Sequence, residues 1–89
     1  MVRVLFTPNL ARHVDCPAAQ VSAATVREAL EAAFAGNARA RGYILDDQSH
    51  LRRHIAVFVD GVLVRERVHL SQAIAQNSEI FVAQALSGG

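Results

Sequence analysis

The sequence ends in Ser87-Gly88-Gly89, so its last two residues are glycines. Glycine loses more conformational entropy on ordering than any other residue and has no side chain to pack, so this pair adds nothing to a core. Three explanations are open: chance, a remnant of cloning, or a thin thread that ends in a carboxylate. Only the third has chemical consequences, because a carboxylate becomes an acylating group once its oxygen is converted into a good leaving group.

Other residues with reactive side chains form no convincing constellation. Cys16 is the single cysteine, so it cannot form an internal disulfide, and this favours a reducing compartment. No basic cluster surrounds it in the sequence, which favours a plain free thiol over a sulfur acceptor or an oxidation site. His50 and His54 are four residues apart, a ligand spacing only on a helix, and His54 is predicted on a strand. We therefore predict no metal site.

Composition indicates one small globular domain. The chain has 89 residues, of which 52% are hydrophobic, and a formal net charge of +1, which does not suggest a nucleic-acid partner. No apolar run reaches the length of a membrane span, and the start lacks the pattern of a signal peptide. We expect a cytoplasmic protein that is monomeric when free. All nine basic residues are arginine, so the chain offers no lysine for an isopeptide bond.

The first half of the chain predicts two strands and one main helix. "VRVLF" alternates and predicts a strand, the segment 7–18 with its two prolines predicts a loop, and "AQVSA" predicts a second strand. Thr25 and Glu28 form a capping-box pattern at the start of an amphipathic helix. Gly36-Asn37 is a typical signal for its end.

The second half predicts three more strands. A short helical turn carries Tyr43, and "HIAVFVDGVLVRERV" predicts a hairpin around Asp60-Gly61. Residues 69–79 predict a turn or a one-turn helix, and "IFVAQAL" predicts the last strand. Alternation places Ile55, Val57, Val59, Ile80 and Val82 toward the helix and Phe58, Phe81 and Ala83 on the opposite, open face.

This order of elements predicts an α+β fold of the β-grasp type. A mixed sheet of four to five strands carries one main helix across it, and the first and last strands lie side by side in the middle. Residues 1–86 form the single domain in this prediction, and residues 87–89 form a flexible tail. Phe58, Phe81 and Ala83, lying next to that tail, would suit a partner-binding surface. The alternatives are that the loop 7–20 folds over them, or that they are isolated apolar residues on the surface.

The order of elements, together with three motifs, resembles the MoaD/ThiS family of ubiquitin-like sulfur carriers. The motifs are "TVREAL" at the helix start, "LRRHIAVFVDG" entering the central hairpin, and "SGG" at the end, and the resemblance covers nearly the whole chain. Two family features are absent. The bend before the last strand keeps Glu79 but lacks the preceding glycine and aspartate, and the last strand lacks a proline. These departures leave the biosynthetic pathway open.

The resemblance implies that the carboxylate of Gly89 is the reacting group. A ubiquitin-activating-type adenylyltransferase and sulfurtransferase would adenylate it with ATP and magnesium, and sulfur would then convert it to a thiocarboxylate. A sulfur-accepting synthase would take that sulfur into molybdopterin, thiamine or cysteine. Gly88, Ser87 and Leu86 would thread into the partner, where a Cβ on either glycine would collide with a narrow channel. The chain itself would be a carrier with no bound cofactor, and not an enzyme.

Two other functions are compatible with the same residues. A ubiquitin-like protein modifier would use Gly89 to form isopeptide bonds with other proteins. A β-grasp interaction module would have an incidental tail.

Overall fold

The computed structural model describes residues 1–84. The predicted tail residues Leu86, Ser87, Gly88 and Gly89 lie outside the described residues, as does the predicted domain boundary after residue 86. The described part contains five strands and three short helices. In chain order they are β1 (Val2–Phe6), α1 (Pro8–Ala11), β2 (Ala19–Val21), α2 (Val26–Ala33), α3 (Ala38–Ile44), β3 (Ile55–Val59), β4 (Val62–Leu63) and β5 (Glu79–Gln84).

The five strands form one mixed sheet in the order β2-β1-β5-β3-β4. β1 and β5 are the parallel pair, and every other neighbouring pair is antiparallel. β5 is therefore the central strand, paired with β1 on one side and with β3 on the other. The predicted β-grasp architecture, with the first and last strands adjacent in the middle, is confirmed.

The start of α2 is fixed by the predicted cap. The Oγ1 atom of Thr25 accepts a hydrogen bond from the N–H of Glu28 at 3.2 Å. Glu28 reaches back with its carboxylate, which accepts the N–H of Ala24 at 3.0 Å, so the box closes one residue earlier than in its common form. After the helix, Gly36 has a φ of +76°, the left-handed conformation that glycine adopts without strain.

The core lies between the sheet and the helices. α2 contributes Val26, Ala29 and Leu30 to it, and α3 contributes Ala40 and Ile44. The predicted inward set of the last two long strands is confirmed, since all five side chains are buried: Ile55, Val57, Val59, Ile80 and Val82. The open face of the sheet consequently carries the alternate residues of each strand.

The β3–β4 hairpin turns at Asp60-Gly61, as predicted. Both residues have positive φ values, +49° and +85°, which is the combination that a type I′ turn requires. β4 is only two residues long, because the chain leaves the sheet after Leu63. Val64 nevertheless donates its N–H to the carbonyl of Val57 at 2.8 Å.

One expectation about helices was wrong. The loop predicted over residues 7–18 contains α1, where Thr7 caps the helix and Pro8 occupies a position at its start that needs no N–H donor. Of the two alternatives predicted for residues 69–79, a turn or a one-turn helix, no helix forms; the segment has a turn at residues 76–77 and an isolated bridge between Thr25 and Ala73, and Glu79 begins β5. This segment supplies carbonyl acceptors to α2 instead of forming its own helix, as Leu70 accepts the N–H of Arg27 at 2.8 Å.

The loop that leads to this segment is organised by Glu66. Its carboxylate accepts the backbone N–H groups of Val68, His69 and Ser71. These hydrogen bonds lower the pKa of Glu66, and the one from the N–H of Ser71 has the largest effect. Leu70, in the middle of the loop, is buried with a φ of +55°, so the carboxylate holds a turn whose backbone is otherwise strained.

We expect Glu66→Gln to lower the free energy of unfolding at pH 7 and to have a smaller effect at pH 3. Because the pKa of Glu66 is lower in the folded chain than in the unfolded one, the unfolded state binds more protons as the solution is acidified. The stabilisation is therefore fully present above the unfolded pKa of about 4.3 and is lost progressively as the pH falls through the lower pKa of the folded chain. Urea unfolding of both variants at the two pH values measures this. An equal difference at both would show that the carboxylate charge does not organise the loop.

Candidate functional site

The last strand leaves the middle of the sheet. β5 ends at Gln84, which is opposite Ile55 of β3, and runs in the same direction as β1. The described part of the chain therefore ends on the central strand, at the end of the sheet where β1 has turned into α1.

The open face beside β5 carries an apolar row that crosses four strands. The ladder places Leu5 opposite Phe81, Phe81 opposite Phe58, and Phe58 opposite Leu63. We call Leu5, Phe81, Phe58 and Leu63 the sheet-face row. With strands about 4.8 Å apart, the row is about 14 Å long. Leu63 is 43% exposed, and the other three side chains are partly buried.

The surroundings of the row differ at its two sides. Toward the start of β5, Arg3 and Glu79 are opposite each other and form an exposed ion pair at 2.6 Å. Toward the end of β5, the next pair is Ala83 with Ala56, both small and partly buried. The face therefore changes from charged to aromatic to nearly flat as it approaches Gln84. A partner could lie close to the backbone there, since no large side chain projects from this pair.

The loop after β1 does not cover the row. It directs Leu10, Val14 and Cys16 into the core, and Phe58 and Phe81 stay partly exposed, so the alternative in which this loop folds over them is wrong. A depression of about 170 Å³ lies beside Leu5 and extends the apolar surface toward β2. Its lining comprises Arg3, Leu5, Ala18, Ala19 and Gln20.

Two members of the row were missed by the sequence analysis. Leu5 alternates outward in "VRVLF", but only the parallel pairing of β1 with β5 shows that it lies beside Phe81. Leu63 is the second residue after the Asp60-Gly61 turn. In a hairpin with this two-residue loop, it is paired with Phe58 of the preceding strand. The hairpin signal could have identified Leu63, whereas Leu5 needed the sheet order.

The remaining reactive side chains are arranged for structure. Burial raises the pKa of the Cys16 thiol, and the nearby negative charge of Asp15 adds to the effect. Within residues 1–84, no three side chains of histidine, cysteine, aspartate or glutamate come together in a way that could hold a metal ion. Among the helices of that same range, none is long and apolar enough to cross a membrane.

If the chain carries sulfur, as its resemblance to the MoaD/ThiS family implies, Cys16→Ala should leave the transfer unchanged within about twofold, at a stability cost of about 1 kcal/mol. A buried protonated thiol is a poor nucleophile, so Cys16 has no means of holding sulfur in the folded state. A thiol reagent should label native Cys16 slowly and the unfolded chain quickly. Fast labelling of the native protein, or loss of transfer in the variant, would contradict this assignment.

No family model and no curated protein sequence matches the chain. Solved structures do resemble it. The small archaeal modifier protein 1 (SAMP1) of Haloferax volcanii is 24% identical, with a TM-score of 0.78 over 99% of this chain and 98% of that one. A chain of the BexX/CysO complex from Amycolatopsis orientalis is 22% identical, with a TM-score of 0.80 over the full length of both.

A third similar structure is CysO of Mycobacterium tuberculosis, described as an antigen. It is 21% identical, with a TM-score of 0.77 over 97% of this chain and 100% of that one. All three similarities extend over nearly the whole of both chains. They confirm the ubiquitin-like β-grasp fold that the resemblance to the MoaD/ThiS family implied.

Proposed function

We propose that this chain is a sulfur carrier whose reacting group is the carboxylate of Gly89. The observation that carries the proposal is the central position of β5, whose last described residue, Gln84, lies in the middle of the sheet at the end of an apolar face. The Ser-Gly-Gly sequence after it has no role in a core. The similarity in fold to CysO and to a small archaeal modifier protein supports the same class of function.

Formation of a thiocarboxylate at Gly89 needs two successive nucleophilic substitution reactions. A carboxylate oxygen of Gly89 attacks the α-phosphorus of ATP, and the bond to pyrophosphate breaks. The sulfur of hydrosulfide then attacks the carbonyl carbon of this adenylate, the carbon–oxygen bond breaks with its electron pair leaving on AMP, and the sulfur proton is released. The product is a thiocarboxylate. The chain supplies the acid, and a ubiquitin-activating-type partner supplies ATP, magnesium and catalytic side chains.

The sheet-face row would serve as the docking surface of that partner. Aromatic side chains dominate binding energy at protein interfaces, and Phe58 and Phe81 lie together at the centre of the row. Ala83, between the row and the tail, would allow close approach of the partner's backbone. Ordering the tail costs conformational entropy, so contacts on this face would have to compensate for it.

Conjugation to other proteins is the second candidate function. It is favoured by the similarity to a protein described as a small archaeal modifier. The first step, adenylation of Gly89, would be the same, and the acceptor would be an amine in place of hydrosulfide. The absence of lysine means that the chain could not build lysine-linked chains on itself. Gly-Gly remnants on lysines of cellular proteins would indicate conjugation, and a thiocarboxylate without such remnants would indicate a carrier.

The adenylation step is tested by ATP–pyrophosphate exchange with the cognate activating enzyme. We expect exchange that depends on this chain, saturates with its concentration, and requires magnesium. The matched control is the chain with its terminal carboxyl converted to an amide, which keeps every side chain and removes only the acid. Equal exchange with the amidated chain would contradict the proposal.

A further inference from the structure

The last described residue of β5 is hydrogen-bonded to a side chain from α3. Gln84 is the last described residue of β5, and its register with Ile55 places it on the face of the sheet that the helices cover. The hydroxyl of Tyr43 donates a hydrogen bond to Oε1 of Gln84 at 2.9 Å. The two residues are 41 positions apart in the chain.

Two histidines hold the Tyr43 ring in place. The His13 ring stacks on it with centroids 5.9 Å apart and planes at 11°. The His54 ring meets it edge-on, with centroids 5.2 Å apart and planes at 81°. Both arrangements are favourable for aromatic rings. The segment after α1, the helix α3 and the residue before β3 therefore converge on the end of β5.

This contact is placed where the sheet holds β5 least. Pairing with β1 extends only to Phe6 opposite Val82, after which Thr7 donates its N–H to Val82 and the chain turns into α1. Pairing with β3 continues to Gln84. The last two residues of β5 are thus bonded to one neighbouring strand instead of two. The Tyr43 hydroxyl supplies a second attachment at this point.

We propose that Tyr43 is a positioning residue that fixes the point from which residues 85–89 depart, an inference that rests on the proposed use of Gly89. Five residues span at most about 17 Å when fully extended, so the position of Gln84 limits how far the acid of Gly89 can reach. If β5 frays, the tail gains conformations that the partner must remove on binding. The side-chain bond therefore lowers the entropic cost of delivering the acid.

The first test uses the free protein and needs no partner. Tyr43→Phe removes the hydroxyl and keeps the ring between the two histidines. We expect the heteronuclear NOE of the Gln84 backbone amide to fall toward the values of a flexible chain, while those of Ile80 and Val82 stay unchanged in a protein that remains folded. Equal NOE values at Gln84 in both proteins would overturn the proposal, whatever the partner does.

The second test measures activation by the partner. Tyr43→Phe and Gln84→Leu should each raise KM for the chain about fivefold, the equivalent of one net hydrogen bond of about 1 kcal/mol, with kcat unchanged. The double variant should be no worse than either single one. Gln84→Glu keeps an oxygen acceptor for the Tyr43 hydroxyl and should restore the wild-type KM.

The proposal would be overturned if the two effects were additive, if the KM values did not change, or if Gln84→Glu did not restore KM. If the wild-type chain is not activated at all, the proposed function is refuted instead.

Discussion

Removal of Gly89 is expected to abolish thiocarboxylate formation, by about 100-fold or more, and to leave the melting temperature unchanged. One residue fewer shortens the reach of the terminal acid by about 3.4 Å, which takes the reacting atom out of position. Stability should not change because glycine has no side chain with which to contribute to a core. Product is measured by intact mass, and stability by thermal unfolding.

The matched control for this deletion is Ser87→Ala, which changes a tail side chain and keeps the length. It should be converted to thiocarboxylate at a rate close to that of the wild type. If the chain lacking Gly89 keeps the full biological activity of the protein, the tail is incidental and an interaction module becomes the better description.

Replacement of both Phe58 and Phe81 by alanine is expected to weaken binding to the activating partner about 30-fold or more, the equivalent of about 2 kcal/mol. These rings face each other across β3 and β5 at the centre of the sheet-face row. Because the row lies beside the root of the tail, the loss should appear in KM, whereas the turnover of bound chain should change little. Titration calorimetry with the partner measures the affinity directly.

Val68→Ala is the control for surface apolarity. Val68 is 43% exposed, as Leu63 is, but it lies in the loop after β4 and not on the open face of the sheet. The Val68→Ala variant should bind the activating partner with unchanged affinity. Thermal unfolding of the double phenylalanine variant must show a folded chain. Equal affinity of that folded variant and the wild type would exclude the sheet-face row as the docking surface.

Local signals in the sequence were sufficient for the main elements. The cap at Thr25 and the Asp60-Gly61 turn each depend on residues within four positions of one another, so their geometry follows from local chemistry. The alternation in β3 and β5 then identified the buried face. The same argument placed Phe58 and Phe81 on the open face.

The features that were missed depend on contacts between distant segments. α1 is a single turn that Thr7 and Pro8 begin, and prolines in a short polar stretch are equally typical of a loop. Residues 69–78 form no helix, because the carbonyls of Leu70 and Gln72 accept the N–H groups at the start of α2, a partner far away in the chain. The hydrogen bond between Tyr43 and Gln84 joins two elements that no local pattern connects. Register and side-chain bonding of this kind become visible only once the sheet order is known.

Intact mass spectrometry of the chain tests whether Gly89 carries sulfur. The protein is incubated with its activating partner, ATP, magnesium and sulfide, and the sample without ATP is the control. We expect a mass increase equal to one sulfur replacing one oxygen, located by fragmentation at Gly89 and dependent on ATP. A mass that stays unchanged with an active partner, or sulfur found at Cys16 in place of Gly89, would contradict it.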